Sequence, residues 1–306
     1  MTKKKKSNIN KKLSSLILFI IISIYGIYSD QLQETFGMLN PSSNEVESEL
    51  KVYFLDVGQA DAILIQNNNE NMLIDAGNNE DGKPLVEYFK SLGINTFKYI
   101  VATHPHEDHI GGLDNIINEF QIKTIYMPDA ITTTKTFTEV LDAIENKSLT
   151  YNVPKINETF SLGEATFKVI YTGTDTSDLN NTSIILKLEF GNTTFLLTGD
   201  ATSETEKLIL KQDIKADILK LGHHGSRYSS SDEFLERVNP KYAIISAGKN
   251  NTYDHPHPET IKKLKTKKIE ILRTDELGTI LITTDGNQIE TTYLKTNTNG
   301  GQSWNG

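Results

Sequence analysis

From residue 50 onwards the chain alternates short apolar runs with amphipathic stretches. "VYFLDV" (52–57), "AILIQ" (62–66) and "NMLIDAG" (71–77) read as three strands, with "NNNEN" as the turn between the last two. "PLVEYFKSLG" (84–93) has helical spacing, opened by Pro84 and stopped by Gly93. "FKYIVAT" (97–103) predicts a buried strand and "IGGLDNIINEF" (110–120) a helix. Beyond these, "IKTIYM" and "ATFKVIYTG" predict strands, and "KTFTEVLDAIENK" (135–147) a helix between them. "SIILKLEF" and "TTFLLTGD" form a hairpin over Gly191-Asn192, and the last elements, 278–294, form another over Asp285-Gly286. "SETEKLILKQ" (203–212) predicts a helix with Ser203 as N-cap and Glu206 completing a capping box. "ADILKLG", "YAIISAG" and "KIEILRT" are strands, with helices at 231–237 and 259–265 between them. Neither strict βαβ alternation nor an all-β pattern fits this order. Two mixed sheets fit it, each begun by hairpin strands and then covered by helices on its outer face, an α/β (α+β) arrangement. No internal sequence repeat is visible, although the two halves can share one architecture.

Ahead of this region "MTKKKKSNINKK" carries six lysines and no acid, and residues 13–29 hold no charged side chain. Seventeen residues is the short end of what spans a bilayer. Lysines on the N-terminal flank would stay in the cytoplasm, which places everything after Asp30 outside the cell. The alternative is secretion after cleavage of a signal peptide, but "SIYGIYSDQ" offers no clean pair of small residues for a cleavage site. A buried core helix is disfavoured by the polar stretch that follows, which has the composition of a linker. The expected organisation is a basic cytoplasmic segment (1–12), one N-terminal transmembrane helix (13–29), a linker (30–49), one folded domain (50–295) and a polar tail (296–306).

Composition narrows the chemistry. With no cysteine, disulfides, thiolate metal sites and a cysteine nucleophile are excluded, so any metal must be held by N and O ligands. Six of the 31 cations and none of the 40 acids precede residue 30, which leaves 25 positive against 40 negative charges, a net of −15. Net charge therefore does not draw in a polyanion. The exception is the basic run 261–273, which reads first as a solvated helix face and turn.

The densest chemical signal is "THPHEDHIGG", where three of the seven histidines share six positions with two carboxylates. His104 and His106 end a strand, and Asp108 with His109 precedes a helix, so one sharp loop could aim all four inward. Two nitrogen ligands plus an O,N pair suit two neighbouring metals rather than one.

With this HxHxDH pattern the chain resembles the metallo-β-lactamase fold. More narrowly, "FLDVGQADAILI", "LIDAG", "THPHEDHIGGL", "FLLTGD", "LKLGHHGS" and "HPHPE", in that order over residues 50–295, resemble the soluble hydrolase domain of ComEC-type DNA-uptake (competence) proteins. The resemblance implies a four-layer αββα sandwich and a binuclear hydrolase with two divalent metal ions, Zn²⁺ or Mn²⁺. It implies His104 and His106 on one metal, Asp108 and His109 on the other, and Asp200 bridging both. "GHHG" supplies the last histidine ligand; His223 is expected there, with His224 facing substrate as a proton donor. Asp75 matches an aspartate that orients a ligand histidine, while Asp56 and Asp61 match the DVGQxD signature. Many fold relatives carry a further histidine ligand where this chain has "DLNNTSIIL", so Asn181 or a water is expected to complete the first metal. His255 and His257 read either as a helix-start turn or as a loop over the cleft, and Ser226 and Arg227 either as exposed polar residues or as phosphate contacts.

The expected activity is hydrolysis of a phosphodiester, in DNA or in a cell-wall polymer such as a teichoic-acid phosphocholine. The alternatives are an ester, amide or lactone hydrolase of the same fold, or a non-catalytic surface component. The membrane is the expected partner of the N-terminal helix, and no protein partner is inferable. A basic rim around the cleft would favour a nuclease.

Overall fold

The computed structural model of the protein describes residues 49–174 and 177–294. The apolar run at 13–29, expected to cross the membrane, and the tail from 296 lie outside the described residues; none of the described helices is long and apolar enough to span a bilayer.

Two sheets face each other. With strands numbered in chain order, and β6 at Tyr151–Asn152 and β7 at Thr159–Leu162, the first has the order β15-β14-β1-β2-β3-β4-β5-β6 and the second β13-β12-β11-β10-β9-β8-β7. In the first, β1 (Leu50–Phe54), β2 (Ile63–Asn67) and β3 (Glu70–Ile74) are antiparallel, whereas β4 (Thr96–Val101) and β5 (Gln121–Tyr126) follow in parallel. The second repeats the scheme: β8 (Ala165–Tyr171), β9 (Ile185–Phe190) and β10 (Thr193–Leu197) are antiparallel, then β11 (Ile218–Lys220), β12 (Tyr242–Ile245) and β13 (Glu270–Arg273) are parallel. The closing hairpin, β14 (Thr279–Thr284) and β15 (Ile289–Leu294), returns to the first sheet and pairs with β1.

Strand alternation builds three apolar layers. Val52, Phe54, Ile63, Ile65, Phe167, Leu188 and Phe195 point between the sheets, while Tyr53, Leu55, Leu64 and Leu73 point outward under the helices Gly82–Ser91, Leu113–Glu119 and Lys135–Asn146. On the far side Ile185, Leu196, Leu219 and Ile245 pack beneath Ser203–Ile209, Asp232–Val238 and Pro258–Thr266. These strands are buried on both faces, which is why they read as continuous apolar runs rather than alternating ones. The helix–sheet–sheet–helix order is the αββα sandwich.

Details depart from the sequence reading. Two short strands, Tyr151–Asn152 and Thr159–Leu162, were not expected; their residues are mostly exposed and polar, so they carry little hydrophobic signal. A helix begins inside the histidine cluster, at Glu107–Ile110. The helix expected to be capped by Ser203 is capped by Thr202, whose Oγ1 accepts from the Glu204 amide at 3.3 Å. Glu206 closes no capping box. It is buried, and its carboxylate accepts from the amides of Ser230 and, at 2.9 Å, of Ser231, which in turn caps the helix Asp232–Val238. Glu206 thereby fastens the loop that follows "GHHG".

Glu206→Ala should therefore destabilise the fold by about 2–4 kcal/mol, because each stranded, buried donor costs about 1–3 kcal/mol. Urea unfolding should show a lowered midpoint with an unchanged slope.

Candidate metal centre

The candidate residues stand at the C-terminal ends of strands from both sheets. Asp75 follows β3, His104 follows β4, Asp200 follows β10, and His223 and His224 follow β11. Two glycines let the histidine loop fold this tightly. A Cβ on Gly111 would lie 2.2 Å from the carbonyl carbon of Asn78, and one on Gly112 would lie 2.5 Å from the Ala76 oxygen. That close approach, rather than a positive φ, explains the Gly-Gly pair.

One ligand atom from each of Asp108, His109, Asp200 and His224 falls within 4.8 Å of the others. Asp200 Oδ2 is 3.3 Å from His109 Nε2 and 3.5 Å from His224 Nε2, and Asp108 Oδ2 is 3.4 Å from His224 Nε2. Beside this group, His104 Nε2 and His106 Nδ1 are 3.0 Å apart. The rings of His104 and His109 lie 4.1 Å apart, centroid to centroid, so the pair adjoins the foursome.

Hydrogen bonds from behind aim these rings. Asp75 Oδ2 receives His109 Nδ1 at 2.7 Å and the Thr103 hydroxyl at 2.7 Å, and its Oδ1 receives the Thr103 amide at 2.7 Å. His224 Nδ1 lies 2.9 Å from the Ser246 carbonyl, which can only accept, so Nδ1 donates there and Nε2 is the nitrogen that faces the carboxylates. His109 Nε2 and His224 Nε2 are buried and without a hydrogen-bond partner.

His224, where His223 was expected, thus falls within the group of candidate ligands. Both residues have positive φ, 51° and 52°, in the turn Gly222–Gly225, and this backbone turns His224 inward while His223 lines the cavity above. Asn181, expected near the first metal, has its amide oxygen engaged elsewhere. Its Oδ1 accepts from the hydroxyls of Thr202 at 2.6 Å and Thr205 at 3.0 Å, which commits it to the start of the helix Ser203–Ile209. Its neighbour Asn180 lines the cavity instead, with a buried Oδ1 that has no partner.

The remaining candidates separate. Asp61 is buried behind His224. Asp56 accepts from the Gly58 amide at 3.4 Å and shapes the turn into the cavity wall. Ser226 is buried, and its Oγ accepts from the Tyr228 amide. Arg227 pairs with Glu259 at 3.3 Å, its amide donates to His257 Nδ1 at 3.1 Å, and both Arg227 and His257 border a second cavity of about 680 Å³. His255 stands between the two cavities and lies 3.4 Å from the side-chain nitrogen of Gln59, a wall residue that the sequence reading passed over.

The cavity over the ligand group measures about 720 Å³. Among the described residues its lining holds Glu80, Asp81 and Glu107 besides Asp108 and Asp200, and neither lysine nor arginine. The run 261–273 does not reach it: Lys263 donates to the Ser230 carbonyl, Lys267 pairs with Glu236 and Asp232, and Arg273 with Asp275 and Glu276.

Charge and burial are in conflict here. Burial disfavours ionisation of Asp108 and Asp200, yet the neighbouring His109 and His224 imidazoles hold both carboxyls below the usual range. Burial opposes a proton on His109, but Asp200, Asp75 and Asp108 raise its affinity for one well above normal. His104 is pushed down by burial and by His109, and therefore offers a lone pair. Divalent cations would relieve this conflict by taking the place of the imidazole protons. The donor set fits them: imidazole and carboxylate ligands converge, orphaned nitrogens face inward, and a carboxylate holds the ligand His109 from behind. The centre is a candidate binuclear metal site.

Comparison with known proteins agrees with this geometry. The family model of the metallo-beta-lactamase superfamily matches residues 55–249. ComE operon protein 3 of Bacillus subtilis is 31% identical over 256 residues, covering 77% of this chain and 33% of that protein. Competence protein ComA of Neisseria gonorrhoeae is 26% identical over 240 residues, covering 76% of this chain and 32% of its own length. The chain thus spans about a third of the length of these relatives. Among solved structures, the metallo-beta-lactamase fold protein YhfI from Bacillus subtilis superposes with a TM-score of 0.52 at 13% identity, over 74% of this chain and 95% of YhfI, which shows a shared fold alone.

The two histidines of "GHHG" can be told apart experimentally. His224→Ala should weaken divalent-metal binding by at least about 10²-fold, the upper range seen for residues that only support a ligand. His223→Ala should leave that affinity within a few-fold of the parent. Calorimetric titration with Zn²⁺ or Mn²⁺ reads both, and the reverse order would return the ligand role to His223.

Proposed function

Since the chain belongs to the metallo-beta-lactamase superfamily, we propose that it is a binuclear metal-dependent hydrolase that cleaves a phosphodiester on the outer face of the membrane. The observation that carries this reading is the convergence of Asp108, His109, Asp200 and His224, with His104 and His106 beside them, on the floor of an open cavity. Zn²⁺ and Mn²⁺ both suit a centre of imidazole and carboxylate donors, and such ions supply Lewis acidity and a nucleophilic water at neutral pH.

The chain's own residues do the rest. Asp200 lies within 3.5 Å of ligand nitrogens on both His109 and His224, and so is placed to hold two cations together. Asp75 fixes the direction of His109, and the Ser246 carbonyl that of His224. His223 stands on the cavity wall with its proton affinity lowered by burial, so it is neutral and can take a proton at the reacting face or return it to a departing oxygen. Asn180 is placed to hydrogen-bond substrate or an ordered water. The resemblance to the hydrolase domain of DNA-uptake proteins points to a phosphodiester, and the lysine-rich start with the uncharged run 13–29 points to membrane attachment with the catalytic part outside.

One observation favours a second reading, hydrolysis of a carboxylic ester, amide or lactone. Among the described residues the cavity lining holds no lysine or arginine, so bound metal would be the main attraction for a phosphate there. The purified protein should be offered a chromogenic phosphodiester, single- and double-stranded DNA, a carboxylic ester and a β-lactam, each with chelator, Zn²⁺ or Mn²⁺. Chelator-sensitive phosphodiester hydrolysis is expected, and Asp200→Asn should lower its turnover by about 10²–10⁴-fold while the domain stays folded. Activity confined to the ester or lactam would put the second reading ahead, and turnover indifferent to Asp200→Asn would remove the reaction from this centre.

Placement has its own test. Protease added to intact cells should digest the catalytic part and spare the lysine-rich N-terminal segment. Recovery of the whole protein in the cytosol would reject the outward orientation.

A further inference from the structure

Lys220 and Asp61 form an ion pair in which neither side chain is accessible to solvent: Nζ to Oδ2 is 2.7 Å, with exposures of 0% and 1%. Burying two charges is costly, and well-packed apolar residues often do as well or better. What this pair touches suggests why it is here. Lys220 ends β11, and its ammonium also donates to the Leu221 carbonyl at 2.9 Å, immediately before the turn whose two histidines are both left-handed. Asp61 reaches in the other direction through its backbone. Its amide donates to the Asp108 carbonyl at 3.1 Å, and its carbonyl accepts from the Gly77 amide at 2.8 Å, two residues beyond Asp75. The second carboxylate oxygen, Oδ1, has no hydrogen-bond partner and stands 3.6 Å from His224 Nδ1.

We infer that Asp61 and Lys220 are positioning residues for the metal centre, joining the three loops that carry Asp75, Asp108 and His224 and backing the His224 imidazole so that its Nε2 faces the other ligands. This rests on the metal-centre reading above and assigns a task to the last aspartate of the DVGQxD signature. The carboxylate lies behind the Nδ1–H that the Ser246 carbonyl accepts, and so disfavours the ring flip that would turn Nε2 away. The ammonium neutralises that carboxylate and ties it to the turn. Asp61, Asp75 and His109 also approach one another within 4.8 Å, but Lys220 occupies the outward oxygen of Asp61 and Asp75 is held by Thr103 and His109, so this trio supports the neighbouring centre instead of binding a cation of its own.

The test uses the full-length protein, stripped of metal and titrated with Zn²⁺ or Mn²⁺ by calorimetry, alongside urea unfolding of the metal-free form. Asp61→Asn and the charge-free double variant Asp61→Asn with Lys220→Met should each bind metal about 10–100-fold more weakly than the parent, the range for residues that orient ligands. The double variant should regain much of the stability that Lys220→Met alone loses, yet not the metal affinity. If affinity returns together with stability, the pair is merely structural and the inference is overturned. A readout on the unaltered protein needs no variant to fold: nitrogen-15 NMR of the metal-free form should show a proton on His224 Nδ1, and a ring protonated at Nε2 alone overturns the inference. A parent protein that binds neither metal would instead reject the metal-centre reading itself.

Discussion

The structure depends on one buried imidazole held among carboxylates. His109 is inaccessible to solvent, 2.7 Å from Asp75 on one side and 3.3 Å from Asp200 on the other, with Asp108 next to it in sequence. Left alone, such an arrangement is unfavourable: burial penalises each charge, and the acids repel one another. It persists because both sheets end in loops that hold the groups there. Asp75 and His109 come from the first sheet, Asp200 and His224 from the second, so the ligand group is assembled only when the two halves of the sandwich pack. The apolar layer between the sheets, built from residues such as Phe54, Phe167 and Phe195, supplies the favourable free energy against which this local cost is set.

Much of the fold was legible because its strands are buried on both faces and its helices are amphipathic. "AILIQ" and "FLLTGD" stand out as apolar runs whichever sheet they join. What was not legible had weak hydrophobic contrast or a partner far away in sequence. Thr159–Leu162 is only four residues long with Thr159 and Ser161 exposed, and so resembles a loop. Glu206 sits where a capping box would place it, and its true partners, the amides of Ser230 and Ser231, lie 24 and 25 residues on. Local rules see the first few neighbours of a residue and cannot see those.

The same division runs through the centre. His104, His106, Asp108 and His109 lie within one loop, so their spacing alone announces a shared ligand. Choosing between His223 and His224 needs the backbone: consecutive residues in a left-handed turn point in different directions, and only the fold says which of them meets Asp108 and Asp200. The exchange of Asn181 for Asn180 has the same origin, a short 3₁₀ turn at Leu179–Thr182 in which adjacent amides diverge. Lys220 was hidden more thoroughly. In "ADILKLG" a lysine reads as the solvent-facing member of a strand, whereas its ammonium is buried against an aspartate 159 positions earlier.

The charge around the cavity bears on what such a centre could do. The DNA backbone is gripped by lysines and arginines arrayed along a groove, and each phosphate so neutralised releases counterions and adds to affinity. Here the lining is acidic, the basic run 261–273 is partly tied to acids and to a backbone carbonyl away from the opening, and Arg227 faces Glu259 at the neighbouring cavity. Bound divalent ions would reverse the sign around the floor, because charge fades within about 10 Å at ordinary salt. A phosphodiester would then be attracted at the reacting group and repelled on either side of it. That pattern suits a short or end-on substrate better than a polymer threaded through the site, and it follows from the same carboxylates that gather the ligands.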